Sequence, residues 1–321
     1  AAGYLYASSD VDPGPGSAIL PAGRFLWKLS ADGRYVWACG QLGPDFSGSS
    51  SLAVDADGNL YLTGTFSGTV DFDPGVGTFQ MTSTQGYTDA YVLKLDSLGG
   101  FEWAVRAARV SPTSIAVDSG GNVFAAGTFT GTADFDPGVG TSYLAACGAD
   151  AFVWKLDPSG ELDWVRKFGG TGSMSTLRVA VGPGSSVYVG GTFSGVADFD
   201  PSGGDLWMDS EQGSLFVARL DSAGALEWAA NAGPVSDAGL ADLAVTASGA
   251  VTLTASSRNA GDLDPGPGVY SFAPYYPGAS SQAFALTLNA TGQFAWASAF
   301  YYQTVDSIKA LALDAEGNVL A

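Results

Sequence analysis

The sequence predicts an all-β fold: a five-bladed β-propeller of four-stranded antiparallel blades, one domain over residues 1–321, closed by pairing of the N- and C-terminal strands. Three observations predict it. One unit of about 64 residues recurs five times, its hydrophobic period is two, and the two ends of the chain carry complementary pieces of a unit.

The repeat is clearest in an Asp-x-Asp-Pro element. "DFDPGVGT" stands at residues 71–78 and again at 134–141, and the element starts at Asp10, Asp71, Asp134, Asp198 and Asp262. The successive spacings are 61, 63, 64 and 64 residues. A second marker keeps the same step: Trp37, Trp103, Trp164, Trp228 and Trp296 each follow a turn written "SADGRYVW", "DSLGGFEW", "DPSGELDW", "DSAGALEW" or "NATGQFAW". A third is the short apolar run "SLAVD", "SIAVD", "RVAVG", "DLAVT" and "ALALD".

Within a unit the elements follow in order. "SIAVD" is a first strand, "SGGN" a tight turn, and "VFAAGTF" a second strand. A glycine-rich loop of about 20 residues carries the Asp-x-Asp-Pro element; "AFVWKLD" and "ELDWVRKF" then make a second hairpin across the turn "PSG". No segment holds a 3.6-residue pattern for three turns.

Small Ala53, Ala116, Ala180, Ala244 and Ala312 suit an innermost strand, where blades crowd. The tryptophans suit the outermost strand, where blades splay. Phe25, Tyr91, Phe152, Phe216 and Phe284 open the third strand and are expected between blades.

The last residues, "LALDAEGNVLA", match the start of a unit, and "AAGYLYASSDVDPG" matches its continuation. Measured through the end and back, Asp262 and Asp10 are 69 residues apart. Complementary ends predict a ring, which removes exposed sheet edges.

Composition bounds the function. Basic residues number 13 against 32 acidic, a net charge of −19, which disfavours nucleic acid and anionic membranes as partners. No apolar run is long enough to span a membrane, and the first residues lack the basic segment of a signal peptide. Histidine is absent, which removes the commonest general base and the usual zinc and copper ligand. Cys39 and Cys147 fall in unrelated parts of the unit, so no disulfide is expected.

The stretch "GNVFAAGTF…DAFVWKLDPSGELDW", with "SIAVDSGGNV" before it, resembles the bacterial β-propeller repeat family often called the SBBP repeat. The resemblance covers all five units, most clearly the second to fourth. It implies a secreted or cell-surface protein with a scaffold or binding role. The family name implies seven blades and shorter units, whereas this chain has five longer ones. No catalytic motif of the family maps onto this sequence.

One motif could carry chemistry. The loops should gather on one rim, bringing together Asp10, Asp12, Asp71, Asp73, Asp134, Asp136, Asp198, Asp200, Asp262 and Asp264. Paired carboxylates before glycine-rich backbone suit Ca²⁺, a hard cation that takes six to eight oxygens. Two other readings stand beside it. Asp before Pro-Gly is ordinary turn chemistry, and Lys28, Lys94, Lys155 and Arg219 recur on the third strand, where each could pair with a loop Asp.

Where the units differ, Tyr275, Tyr276, Tyr301 and Tyr302 are candidates for an aromatic ligand-binding patch around the fifth blade, with Trp207 and Tyr87 on equivalent loops elsewhere. Arg178 and Asp242 replace Ser51 and Ser114 at one inner position, facing a channel or pairing with each other. The expected function is a non-enzymatic extracellular scaffold that binds a glycan or protein through its rim. The alternatives are a five-bladed glycoside hydrolase or lyase, which needs a unique set of carboxylates, and a structural surface or fibre protein.

Overall fold

A computed structural model of the chain describes residues 2–40, 51–234, 239–273, 281–300, 308–314 and 316–320. The fold is all-β, and its ladders are antiparallel. Among the described residues the single helical element is one 3₁₀ turn at Pro183–Ser185, and no helix is long and apolar enough to cross a membrane.

The repeat is directly visible. The second sheet comprises Ser51–Val54, Leu60–Phe66, Asp89–Leu95 and Phe101–Ala107 from inner to outer edge. The third comprises Val110–Val117, Val123–Phe129, Asp150–Leu156 and Leu162–Gly170. The fourth runs through Ser173–Val181, Val187–Asp198, Trp207–Leu220 and Leu226–Pro234, and the fifth through Gly239–Val245, Val251–Ser257, Gln282–Leu288 and Phe294–Ala299. The first sheet has three strands, Ala2–Leu5, Gly23–Leu29 and Tyr35–Gly40. A two-stranded ladder, Ala312–Leu313 with Val319–Leu320, ends the chain.

Consecutive sheets pack face to face, and the period of two decides which way each residue looks. Phe216 and Ala218 of the fourth sheet join Phe124, Trp164 and Phe168 of the third. The intervening Leu215 and Val217 join Leu240, Leu253 and Phe284 of the fifth. Likewise Ala90 and Val92 of the second sheet meet Phe152 and Trp154 of the third, and Leu26 of the first meets Leu62 and Tyr91 of the second. The aromatic residues opening the third strands of the second to fifth sheets therefore lie between sheets, as expected, whereas Phe25 of the first is half-buried against Gly3 of its own sheet. Tyr91, Phe152 and Phe216 each sit opposite a glycine of the second strand, Gly64, Gly127 or Gly191, which leaves room for the ring.

The repeated tryptophans make a joint. Trp37, Trp103, Trp164 and Trp228 each donate their indole N–H to a turn carbonyl of the following sheet: Ser97, Pro158, Ser222 and Ala290, at 3.0–3.1 Å. Each indole lies over the turn glycine beside that carbonyl. A Cβ on Gly99, Gly160, Gly224 or Gly292 would come within 2.7–3.2 Å of ring carbons, and all four glycines hold a positive φ that other residues adopt with strain.

The inner strands are linked too. The Ser51 hydroxyl accepts from the Ile115 amide at 3.2 Å, Ser114 from Val179 at 3.1 Å, and Asp242 from Leu311 at 2.8 Å. Between the fourth and fifth sheets the direction reverses: Arg178 Nε donates to the Ala241 carbonyl at 2.8 Å. Arg178 and Asp242 are thus rungs between inner strands. No ion pair joins them among the described residues.

Three expectations need correction or stop short. The predicted 20-residue loop contains a second small ladder, such as Thr132–Asp134 with Tyr143–Ala145. The basic residues of the third strand do not reach loop aspartates. Lys155 pairs with Asp163 at 2.8 Å and Arg219 with Glu227 at 2.6 Å, both on the adjacent outer strand; Lys28 donates to the Gly58 and Ser97 carbonyls, and Lys94 lies over the Tyr61 ring. Finally, Ala2–Leu5 pairs with Gly23–Leu29, and Val319–Leu320 with Ala312–Leu313; among the described residues no ladder joins the two terminal strands. Both cysteines are free, as expected.

Candidate functional site

The Asp-x-Asp hairpins occupy one topological place in every unit, between the second and third strands, so they stand at one end of the sheets. Their frame is the same five times. Oδ1 of the first aspartate accepts two amides, one from the second aspartate and one eight residues on. These are Asp12 and Ala18 on Asp10, Asp73 and Phe79 on Asp71, and Asp136 and Ser142 on Asp134. Asp200 and Leu206 bond to Asp198, and Asp264 and Tyr270 to Asp262. The distances run from 2.7 to 3.1 Å. Oδ1 of the second aspartate accepts the amide two residues on, at Gly14, Gly75, Gly138, Ser202 and Gly266.

A glycine four residues after the second aspartate completes the frame. A Cβ on Gly16, Gly77, Gly140, Gly204 or Gly268 would fall 2.0–2.2 Å from that carboxylate, so no other residue fits without moving it. Backbone hydrogen bonds hold the Asp10 carboxyl below the usual range, those from the Ala18 and Asp12 amides foremost; the Ser202 hydroxyl and amide do the same for Asp200.

The residue between the two aspartates plugs the hairpin into its sheet. Val11, Phe72, Phe135, Phe199 and Leu263 are all buried. Phe72, Phe135 and Phe199 lie 4.9–5.3 Å, centroid to centroid, from Tyr91, Phe152 and Phe216. Sequence reasoning missed this position, although its signal was present: one apolar residue between two acids, five times over.

The residue facing the first aspartate across the ladder behaves in the opposite way. It is Ile19, Gln80, Tyr143, Trp207 or Ser271, different in every repeat and exposed in all five. Ile19, Tyr143 and Trp207 are 61%, 64% and 56% exposed. A fixed frame thus presents a changing row of side chains.

Two concave regions lie along this rim. One, about 630 Å³, is lined by Thr82, Gln85 and Tyr87 beside the second hairpin, where Arg109 stacks 4.2 Å over the Tyr87 ring. The other, about 380 Å³, lies between the third and fourth sheets, where Gly169 and Gly170 pair with Asp198 and Ala197 of the next hairpin. Cys147, Arg166, Lys167, Asp198, Asp200 and Trp207 line it.

The structure therefore brings each predicted aspartate pair together within its own hairpin and uses it in turn chemistry. Among the described residues no group of three or more Asp, Glu or Cys side chains gathers closely enough to ligate one metal. Tyr275, Tyr276, Tyr301 and Tyr302 lie outside the described residues.

No family model matches. The chain is similar to an uncharacterised WD repeat-containing protein of Acanthamoeba polyphaga mimivirus, 31% identical over 156 residues. That match takes in 45% of this chain and only 11% of the viral protein's length. A crystal structure of a protein of unknown function from Bacteroides caccae aligns over 84% of this chain and 87% of its own, with 12% identity and a TM-score of 0.31.

Proposed function

We propose that the chain is a repeat-built, β-propeller-like scaffold that binds a protein partner through its Asp-hairpin rim and carries out no reaction of its own. The observation that carries this reading is the split within each hairpin. Aspartates, plug and glycine are locked in place, while the cross-strand residue (Ile19, Gln80, Tyr143, Trp207 or Ser271) is exposed and unlike its counterparts. Binding surfaces favour exposed aromatic and aliphatic groups on rigid supports. The acidic groups support a non-catalytic reading over a glycoside hydrolase or lyase, because they recur with the repeat and accept backbone amides.

The finer architecture belongs to the same proposal: five blades closed into a ring, with the first sheet and the terminal ladder forming one composite blade. Their registers support it. Ala312 faces Leu320 and Leu313 faces Val319, as Ala116 faces Phe124 and Val117 faces Val123. Gly3 faces Phe25, as Gly127 faces Phe152. Kinship with the SBBP-type repeats, and with it an extracellular or cell-surface location, extends this reading on the strength of the quoted motifs. Calcium enters as an added ligand of the hairpins. Its check is thermal melting with millimolar Ca²⁺ against chelator, and an unchanged melting temperature removes it.

The test is a selection of displayed peptides on the full chain, with a glycan array beside it. Binders should be lost in the rim variants Tyr143→Ala and Trp207→Ala and kept in Leu98→Ala, on the 77% exposed turn at the opposite end. Peptides that bind equally well to all three variants, or an array that returns only glycans, would refute it.

A further inference from the structure

Asp89 opens the third strand of the second sheet and is fully buried. Its Oδ2 accepts the Thr84 amide at 2.8 Å, the Thr84 hydroxyl at 3.1 Å and Arg106 Nη1 at 2.7 Å; its Oδ1 accepts the Arg109 amide at 3.1 Å. Thr84 starts a tight turn that ends at Tyr87, whose amide donates to the Thr84 carbonyl at 2.9 Å around Gly86, at φ 79°. One buried carboxylate thus fixes both the turn that carries Tyr87 and the bend that carries Arg109. The two meet: the Arg109 guanidinium lies 4.2 Å over the Tyr87 ring. The third sheet has the same aspartate without the clamp. Asp150 Oδ2 receives Lys167 at 3.2 Å and, more distantly, the Cys147 amide, while Oδ1 is buried with no partner, because the chain runs on into Gly169–Gly170 and pairs with the next hairpin.

The second-sheet bend is strained. Arg109 holds a φ of 61°, a left-handed conformation that favours glycine. Strain of this kind persists only where the surrounding structure enforces it, and it gathers where a side chain must be placed for use. The side chain so placed is open. Arg106 is engaged by Asp89, but among the described residues the Arg109 guanidinium has no ion pair and no hydrogen bond. Stacking on Tyr87 covers one face of the guanidinium and leaves its N–H groups, which lie in the plane, free at the edge. Arg109 is exposed and Tyr87 is 51% exposed. Tyr87 also lines the 630 Å³ cavity beside the second hairpin, with Gln85 and Thr88, and none of the residues lining that cavity is charged.

The geometry points to the Arg109–Tyr87 stack as the receptor for one carboxylate, the side chain of an aspartate or glutamate in the partner protein. The guanidinium edge takes the carboxylate in a bidentate pair, and the residues flanking it enter the uncharged cavity beside Tyr87. The rest of the chain, at −19, repels a run of acids, so the site selects a single carboxylate rather than an acidic tract. This rests on the protein-binding reading above and names the chemistry that one part of the rim selects.

The experiment takes rim-dependent peptides selected on the full chain, prepares them with acetylated and amidated ends, and titrates them by calorimetry. Peptides that lose binding in Arg109→Gln should each carry an aspartate or glutamate. Exchanging that residue for asparagine or glutamine should weaken binding at least about tenfold on the unaltered chain and less than about twofold on Arg109→Gln. Arg109→Gly keeps the left-handed bend without strain, so the variant folds and should lose binding as Arg109→Gln does. Arg109→Lys, a point charge without the planar edge, should restore only part of it. Tyr87→Leu should weaken binding about three- to tenfold, whereas Arg34→Gln, which removes an exposed cation from a turn at the opposite end, should leave it unchanged. Rim-dependent peptides that bind Arg109→Gln undiminished, an amide exchange that costs the same on both proteins, or an equal loss in Arg34→Gln overturns the proposal and leaves the scaffold reading intact. The absence of any rim-dependent peptide removes both.

Discussion

The junction between the third and fourth sheets and the outer edge of the fifth carry the same tryptophan in opposite conditions. Trp164 is 8% exposed, donates to the Ser222 carbonyl and lies over Gly224. Trp296 is 39% exposed, and its counterpart, the first-sheet turn glycine Gly33, has nothing within 4 Å of its Cβ position among the described residues. The contrast teaches what makes a repeat into a fold. A sheet of this kind cannot bury its own outer indole; the following sheet does so with a glycine, a carbonyl and an apolar face. Sheets with a successor are complete, and the last has its half of the joint prepared but uncovered.

Substitutions test that contrast. The largest effect is expected for Trp164→Ala, which should cost about 3–5 kcal/mol in chemical denaturation, since it empties a filled space and removes a satisfied hydrogen bond. Trp296→Ala comes next. If the fifth sheet meets the first in solution, as the ring proposal holds, the cost should reach about 2–3 kcal/mol. A loss within about 0.5 kcal/mol would mean that Trp296 is as exposed as it stands, and the ring proposal fails. Gly140→Ala should cost about 1–3 kcal/mol by pushing the Asp136 carboxylate off its amide, whereas Val139→Ala, one residue earlier and fully exposed, should fall within about 0.5 kcal/mol of zero.

The smallest effect per group is acid loosening, and it should strike both regions alike. Asp157 in the turn beneath Trp103, Asp200 in the fourth hairpin, and Asp10 and Asp314 near the chain ends are all held below the ordinary carboxylate value. For Asp157 burial opposes this, and hydrogen bonds led by the Ser159 hydroxyl outweigh it. Groups depressed in the folded state add stability above about pH 4, and that stability is lost as pH falls through their folded values. Melting temperature should therefore hold from neutral pH down to about 5 and fall below about 4. A flat profile down to pH 3 would contradict these assignments.

Much of the fold could be read because the repeat gave five chances to see each position. The tryptophans, the inner alanines and the ring-bearing third strands were each evident from recurrence plus a period of two. The hairpin ladder was not, since its strands, such as "TAD" and "YLA", are too short to show a period. The apolar plug was overlooked because its flanking acids drew attention to charge. Arg178 and Asp242 looked like an ion pair because opposite charges at equivalent positions invite one. In the sheet stack those positions face neighbouring backbone, and each side chain meets it. The unsatisfied Asp150 could not be foreseen: like its counterpart Asp89 it is followed by an alanine and an aromatic residue, and the difference lies in where the chain goes 19 residues later.

Within each Asp-x-Asp-Pro bend, one residue between the last two fixed points takes no part in the frame: Pro15, Val76, Val139, Gly203 and Pro267, all exposed. Because carboxylate, plug and glycine hold the bend without it, exchanging that tip leaves the scaffold's stability nearly untouched, except at Gly203, whose φ of 96° other residues adopt with strain. Such a molecule can change what it recognises one knuckle at a time, so novelty at the surface need not be traded against integrity beneath.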